Sequence, residues 1–416
     1  MSYPEAAWER AMTVQEVLLK AISGELHWFR AAEILGWSPR TIRRWRERYE
    51  AHGASGLIDK RLLRPSKRRA TPAQLEQVLR LYRERYGGFN VRHFHQIAQR
   101  DHGVTVSYSF VKQALQAARL VKKQRVRGRH RRRREPRACF GEMLHLDGSV
   151  HEWFTGLDVR PCLIAVSDDA TKRVLHAALY PSESTWTVMT SLATVLRTAG
   201  LPMALYTDRA HWAFHTPKAK GPVDKTQLTQ VGRALASLGI EHIPSYSPQA
   251  RGRSERLNRT FQDRLVNELR VAAITTLEAA NRYLADHFVP QHNALFARVP
   301  RDPASAFVPL GDADLDRILC HEEARVVARD NTVSLDRQIL QIAPQPGRRT
   351  CAGVTVTVRQ HLDGRYTIAR GAQLWGTYRA NGQPMDAAAA VDAKNAPTAA
   401  WKTPRTRFPQ RPQASL

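Results

Sequence analysis

The sequence predicts a multidomain chain: all-α units at the N-terminus, a central α/β core, and a small β-barrel towards the C-terminus. Three observations predict it. At 416 residues the chain exceeds what one ordinary hydrophobic core organises. Positive charge is concentrated at one end, where residues 1–137 hold 31 basic and 12 acidic side chains, +19 of the formal +26. The texture then changes twice, from charged helical periodicity to short apolar runs after Arg137, and to closely spaced β runs after about Arg325. Charge gathered beside a far less charged remainder points to a module dedicated to a polyanion.

Other classes are set aside by what is missing. The four cysteines (Cys139, Cys162, Cys320, Cys351) are isolated, which argues against a zinc ribbon and a secreted disulfide framework. No apolar run approaches the roughly 20 residues that span a bilayer, and Met1 to Glu5 lack the features of a signal peptide. A soluble intracellular protein with no membrane partner is expected.

The first domain is expected over residues 1–65. Val14, Val17, Leu18 and Ile22 form one helical stripe, and Phe29, Ala32, Ile34 and Leu35 a second, ending at Gly36. Ser38 is placed as an N-cap with Pro39 at the first helical position, so a further helix runs to Glu50. Helix, glycine turn, helix is the spacing of a helix-turn-helix. Ile42 and Trp45 face inward, leaving Arg40, Thr41, Arg43, Arg44 and Arg46 to meet phosphates and base edges. A second, winged-type helical domain is expected over residues 70–120, opened by Thr71-Pro72, broken by Gly87-Gly88 and ending in a helix capped by Ser107. Its histidines His93, His95 and His102 read as surface or packing groups, since no paired cysteines accompany them. Residues 121–138 hold Lys122, Lys123, Arg131, Arg132, Arg133 and Arg134. They read as a basic linker that repels itself and can order along a DNA backbone by counterion release.

The core is expected over residues 139–295. Met143 to Asp147 reads as a strand ending in a carboxylate, Pro161 to Ser167 as a second strand and Val174 to Tyr180 as a third, with Asp168-Asp169 assigned to the intervening turn. A helix over Ser184 to Ala199 precedes a short strand, Met203 to Thr207, that ends at Asp208. A helix over Thr226 to Leu238, a strand over Ile240 to Pro244 and a long helix over Arg253 to Val271 follow, the last with Glu255 in its first turn. This order is that of an RNase H-like fold. It sets strands one and four side by side, so that Asp147 and Asp208 meet and the last helix lowers Glu255 towards both. Three clustered carboxylates suit two divalent cations acting on a phosphodiester, because Mg²⁺ prefers hard oxygen ligands.

Four stretches in this order carry a family resemblance: Gly141 to Ser149, Ser167 to Thr171, Tyr206 to Asp208, and Ser247 to Leu265. With them the core resembles the integrase catalytic core of retroviral integrases and of many bacterial insertion-sequence transposases of the DDE type, and the chain is most similar to the ISNCY group. The resemblance implies Asp147, Asp208 and Glu255 as the catalytic, metal-binding triad, with Mg²⁺ or Mn²⁺ at two ions per site. It implies double-stranded DNA partners (the terminal inverted repeats of a mobile element and a target), 3′-end cleavage, and strand transfer. It further implies a homo-oligomer, dimer or higher, on DNA, and a place in the bacterial cytoplasm with the nucleoid. Asp208 and Glu255 stand 47 positions apart, more than in retroviral integrases, which fits an insertion at residues 209–225. Arg259 and Gln262 are placed beside the DNA end, Arg259 alternatively as an ion-pair partner of Glu255, and Asn258 as a DNA contact or a packing residue.

Ala279 to Gln291 reads as a helix. A β-barrel is expected over residues 315–380, binding DNA or only stabilising the chain, and residues 387–416 read as a disordered tail. The rival functions are a DNA-binding regulator derived from a transposase but catalytically silent, and a nuclease that cuts without joining.

Overall fold

A computed structural model describes residues 5–58, 70–123, 135–218, 221–224, 226–246, 252–335 and 338–385. Arg131, Arg132, Arg133 and Arg134, with most of the expected linker and the expected tail, lie outside them. Two compact units divide the chain, residues 1–77 and 78–416.

In the first unit, α1 (Glu5–Ile22), α2 (Trp28–Ile34) and α3 (Pro39–His52) enclose a small core. The Ser38 hydroxyl accepts the Thr41 N–H at 3.2 Å and Pro39 occupies the first turn, so α3 starts where a cap and a fixed φ favour it. Gly36, at φ +63°, makes the turn from α2 to α3. Ile42 is buried, and Trp45 stacks on Trp37 at 5.2 Å between centroids. Val14, Leu18 and Ala32 of the expected stripes are buried and Val17 and Leu35 pack against them, but the outer members are not. Ile22, Phe29 and Ile34 are 45 %, 68 % and 54 % exposed, while Ala11, Ala21 and Ala31 fill the inner positions. Small side chains there let short helices approach closely.

The helices α4 (Pro72–Glu84), α5 (Val91–His102) and α6 (Tyr108–Ala117) follow. Asn90 and Ser107 cap α5 and α6 through the N–H groups of His93 and Phe110, and Gly103 ends α5 in the left-handed conformation. Among the described residues no strand follows α6 before the core, so the expected wing has no counterpart there. The three histidines are structural: His93 lies 2.7 Å from Glu268 Oε1, His95 2.9 Å from the Val106 carbonyl and His102 2.8 Å from the Tyr86 hydroxyl.

The core contains β1 (Leu144–Val150), β2 (Cys162–Asp168), β3 (Val174–Tyr180), α7 (Thr185–Ala199), β4 (Ala204–Thr207), α8 (Gln230–Ser237), β5 (Glu241–Pro244) and α9 (Gly252–Val271). Its sheet order is β3-β2-β1-β4-β5, antiparallel from β3 to β1 and parallel from β1 to β5, as the element order predicts. Alternation along the strands divides the faces. Leu144, Leu146, Ile164 and Val166 pack with α7 and α8, whereas Leu163 and Ala165 pack with Phe261, Leu265 and Leu269 of α9.

The helix expected over Ala279 to Gln291 is divided into α10 (Leu277–Tyr283), a π-helical turn (Leu284–Phe288) and α11 (Val289–Phe296). Pro290 cannot donate to the carbonyl four residues back and its ring crowds that turn, which favours the wider winding. Twelve residues apart, Asn281 and Asn293 would stand about 120° out of phase on an uninterrupted α-helix. The π turn reduces that angle, and both amides reach β3. Asn281 bonds the N–H and C=O of Leu179 at 2.7 and 2.9 Å, and Asn293 those of Val174 at 2.8 Å each.

Beyond α12 (Leu315–Ile318) lie β6 (His321–Val326), β7 (Thr332–Leu335), β8 (Gln338–Gln341), β9 (Thr355–Gln360), β10 (Tyr366–Arg370) and β11 (Gln373–Tyr378). They form an antiparallel four-stranded sheet, β11-β10-β9-β6, and a separate β7-β8 pair. These share one apolar core, including Val333, Leu340, Val358 and Ile368. Among the described residues no ladder joins the two sheets, so the expected barrel stands as an antiparallel sheet and a hairpin packed on one core.

Candidate active site

Register brings the two aspartates together. Leu144 pairs with Leu205 and His145 with Tyr206, and the same offset places Asp147 opposite Asp208, immediately beyond the end of β4. Asp147 is not at a strand end, as expected, but in the middle of β1, which runs on to Val150. His145, Asp147 and Ser149 share the face covered by α9. There the Asn258 amide donates to Asp147 Oδ2 at 2.8 Å and Gln262 donates to the Ser149 hydroxyl at 3.0 Å. Four helical residues and two strand residues both advance about 6–7 Å, so the helix and strand keep step. Glu255 is three residues before Asn258 and seven before Gln262, which puts all three on one side of α9.

The carboxylates differ in setting. Asp147 is 7 % exposed, Asp208 is half-buried and accepts the Ala210 N–H at 3.0 Å, and Glu255 is exposed. Among the described residues no three His, Cys, Asp or Glu side chains stand close enough to hold a metal ion together. The structure therefore has Asp147 on β1, Asp208 just beyond β4 and Glu255 on the helix above them, without closing a three-ligand set among the described residues. Asn258 Oδ1 is buried and, among the described residues, has no hydrogen-bond partner. Burial pushes the nearby Cys162 thiol up to about 12, helped by the charges of Glu183 and Asp147.

The segment after Asp208 is anchored. Trp212 and Ala213 are buried in the core, and the Trp212 indole donates to Glu183 Oε1 at 2.8 Å. Glu183 lies on the opposite side of β1 from α9, where its carboxylate occupies the space a side chain at Gly148 would need.

Residues assigned to a turn prove to be heavily bonded. Asp168 accepts the Thr171 N–H and hydroxyl at 2.7 Å each and the Gly141 N–H at 3.0 Å. Asp169, 1 % exposed, meets His145, Arg253 and the Arg137 backbone. Burial alone would raise its carboxyl, but the His145 and Arg137 hydrogen bonds and the charges of His145 and Arg253 hold it at about 2. Asp263 and Glu268 serve the packing of α5, through Asn90 and His93.

The expected DNA contacts are distributed. Arg40, Arg43 and Arg44 are exposed on α3, on the side opposite buried Ile42. Arg46 is exposed but ion-paired with Glu50 at 2.6 Å, and the Thr41 hydroxyl lies 2.8 Å from that of Ser38. Lys122 and Lys123 are exposed beyond α6, whereas the contacts expected of Arg131, Arg132, Arg133 and Arg134 fall outside the described residues. Arg259 is exposed and, among the described residues, makes no ion pair with Glu255, whereas Gln262 is engaged with Ser149. The role of Asn258 in holding Asp147 was within reach of the sequence, because its spacing from Glu255 places both on the helix face that meets β1.

A model for a homeodomain-like domain matches residues 41–115, from α3 to α6. Among solved structures, the simian T-cell lymphotropic virus intasome aligns over 63 % of this chain and 85 % of its own at 16 % identity and TM-score 0.30. The HTLV-2 integrase catalytic core domain in complex with magnesium aligns over 36 % and 88 %, at 15 % identity and TM-score 0.27. The fold assignment rests on strand order and not on these alignments. The transposase for insertion sequence IS1202 of Streptococcus pneumoniae is 35 % identical over 153 residues, 36 % of this chain and 32 % of its own. A longer match is y4bF of Sinorhizobium fredii (strain NBRC 101917 / NGR234), named as a transposase, with 34 % identity over 365 residues, 86 % of this chain and 79 % of its own. With identity sustained over that length, and with helix-turn-helix units preceding a mixed α/β core, the chain belongs to the transposases.

Proposed function

We propose that the protein, a transposase of the ISNCY kind, binds the terminal inverted repeats of a mobile element, cleaves their 3′ ends and transfers them into target DNA. One observation carries the reading: the β1–β4 register aligns Asp147 with Asp208 beneath the face of α9 that bears Glu255. The donor chemistry fits a hard divalent cation, since all three groups are carboxylates. The orphaned Asn258 Oδ1 beside Asp147 also fits, because a hydrated cation would bring a donor to it. Asp147, Asp208 and Glu255 would hold two Mg²⁺ or Mn²⁺ ions, which when bound supply Lewis acidity and ease deprotonation of water or a 3′-hydroxyl.

The chain's own residues do the rest. The Asn258 amide fixes one Asp147 oxygen. Arg40, Arg43 and Arg44 neutralise phosphates and orient the duplex. Water and the DNA 3′-hydroxyl are the nucleophiles, so no serine or tyrosine forms a covalent link to DNA. Joining two ends calls for a dimer or higher assembly on DNA. Full strand transfer by a strict monomer would contradict that.

The test is strand transfer on labelled ends in Mg²⁺ or Mn²⁺, comparing wild type with Glu255→Gln. Loss of a ligand should exceed the about 10–100-fold that loss of a supporting residue costs, leaving joined product from wild type alone. The rival reading is the catalytically silent regulator. That reading prevails if wild type binds the ends and neither cuts nor joins them.

A further inference from the structure

His145, Asp169 and Arg253 lie outside the proposed ligand set yet converge in one cluster. The Asp169 N–H donates to the Met143 carbonyl at 3.0 Å, and its Oδ2 accepts the Arg137 N–H at 2.7 Å. Oδ1 lies 2.7 Å from His145 Nε2 and 2.5 Å from Arg253 Nη1, and the same Arg253 nitrogen donates to the Asp169 carbonyl at 2.6 Å. His145 precedes Asp147 by two on the same face of β1. Arg253 precedes Glu255 by two in the opening turn of α9. One residue thus ties together the strand and the helix that carry two members of the proposed triad.

Cohesion alone does not call for such a cluster, because apolar groups of similar volume often replace a buried ion pair at no loss of stability. What apolar packing lacks is direction. A guanidinium held by both the carbonyl and the carboxylate of one residue resists rotation of the helix that bears it. Each residue advances about 100° around α9, so a modest rotation at its first turn would swing Glu255 off the face that meets β1. Asp168, its neighbour, has no such reach, because its carboxylate is bonded within its own turn and to Gly141.

We propose that Asp169 is a positioning residue that, through Arg253, fixes the rotation of α9 and so the direction of Glu255 relative to Asp147. The proposal rests on the triad reading above. The test uses full-length protein bound to end DNA, with Mn²⁺ as the probe, its binding followed by electron paramagnetic resonance alongside strand transfer, end binding and thermal melting. Arg253→Met and Asp169→Asn should weaken Mn²⁺ binding about 10–100-fold, with end binding unchanged and a cooperative melt retained. Arg253→Lys, which keeps a charged donor, should recover most of it. Wild-type Mn²⁺ binding in Arg253→Met would overturn the proposal. So would a loss that tracks unfolding and is not rescued by lysine, because that is a purely cohesive role. Glu255→Gln separates the two readings. If it still joins ends, the triad is wrong. If it is inactive while Arg253→Met binds Mn²⁺ normally, only the positioning role fails.

Discussion

Acidification from pH 7.5 to 5 should remove about 6 kcal/mol of stability from residues 78–416, through three histidines. Burial holds His176, His242 and His292 at about 4, with Arg264 adding to the effect on His292. Unfolded, each would titrate near its ordinary 6.5. A depressed histidine contributes fully above that value and loses its contribution as pH falls towards about 4, because the unfolded chain takes up protons that the native state refuses. At pH 5 each site costs about 2 kcal/mol, and the sum of three is comparable with a whole domain's usual 5–15 kcal/mol. Asp169 does not contribute in this window, since its stabilisation is lost only as pH falls from the ordinary 3.8 towards about 2. Urea unfolding followed by tryptophan fluorescence at several pH values measures the slope directly. His292→Leu, which removes one site among Phe261, Phe288 and Phe296, should reduce the pH-dependent loss by about 2 kcal/mol, with His361, also lowered by burial, left in place. A stability that is flat from pH 7.5 to 5, or a slope unaltered in His292→Leu, would refute the reasoning.

Two other outcomes are expected. Gly141→Ala would place a Cβ 2.3 Å from Phe307, at a φ of +87°, and the ring is already packed edge-on against Phe140. Overpacking and the left-handed backbone together should cost about 2–5 kcal/mol, and an unchanged urea midpoint would show that the contact yields freely. Replacing Arg40, Arg43 and Arg44 together by alanine should lower the slope of log affinity against log salt by about 3 if all three meet phosphates. An unchanged slope in a salt titration would remove α3 from the DNA interface.

Much of the architecture was legible because it is written locally. Ser38-Pro39 and Ser107 mark helix starts, and alternation along β2 separates Leu163 and Ala165 from Ile164 and Val166. The pairing of β1 with β4 followed from element order alone. What escaped is non-local. Nothing near Asp169 in sequence announces Arg253, 84 residues on, and the turn composition of Asp168-Asp169 explained both residues too easily. In β11, Gly376 interrupts the β-branched and aromatic character of the strand, and in the fold that glycine leaves room for the Tyr378 ring. Strand number is written in the sequence, but closure of the expected barrel depends on which edges meet.

The two asparagine amides on β3 have a consequence for how copies of this chain meet. β3 is an outer strand, and outer strands invite foreign ones. A register shift in β3, where Val166 faces His176 and Ser167 faces Val174, changes the parity along the strand, so the outward peptide groups include those of both Val174 and Leu179. Asn281 and Asn293 answer both groups as a neighbouring strand would, but from a helix that no further strand can extend. That margin of the sheet is covered against β-mediated adhesion between copies of the chain.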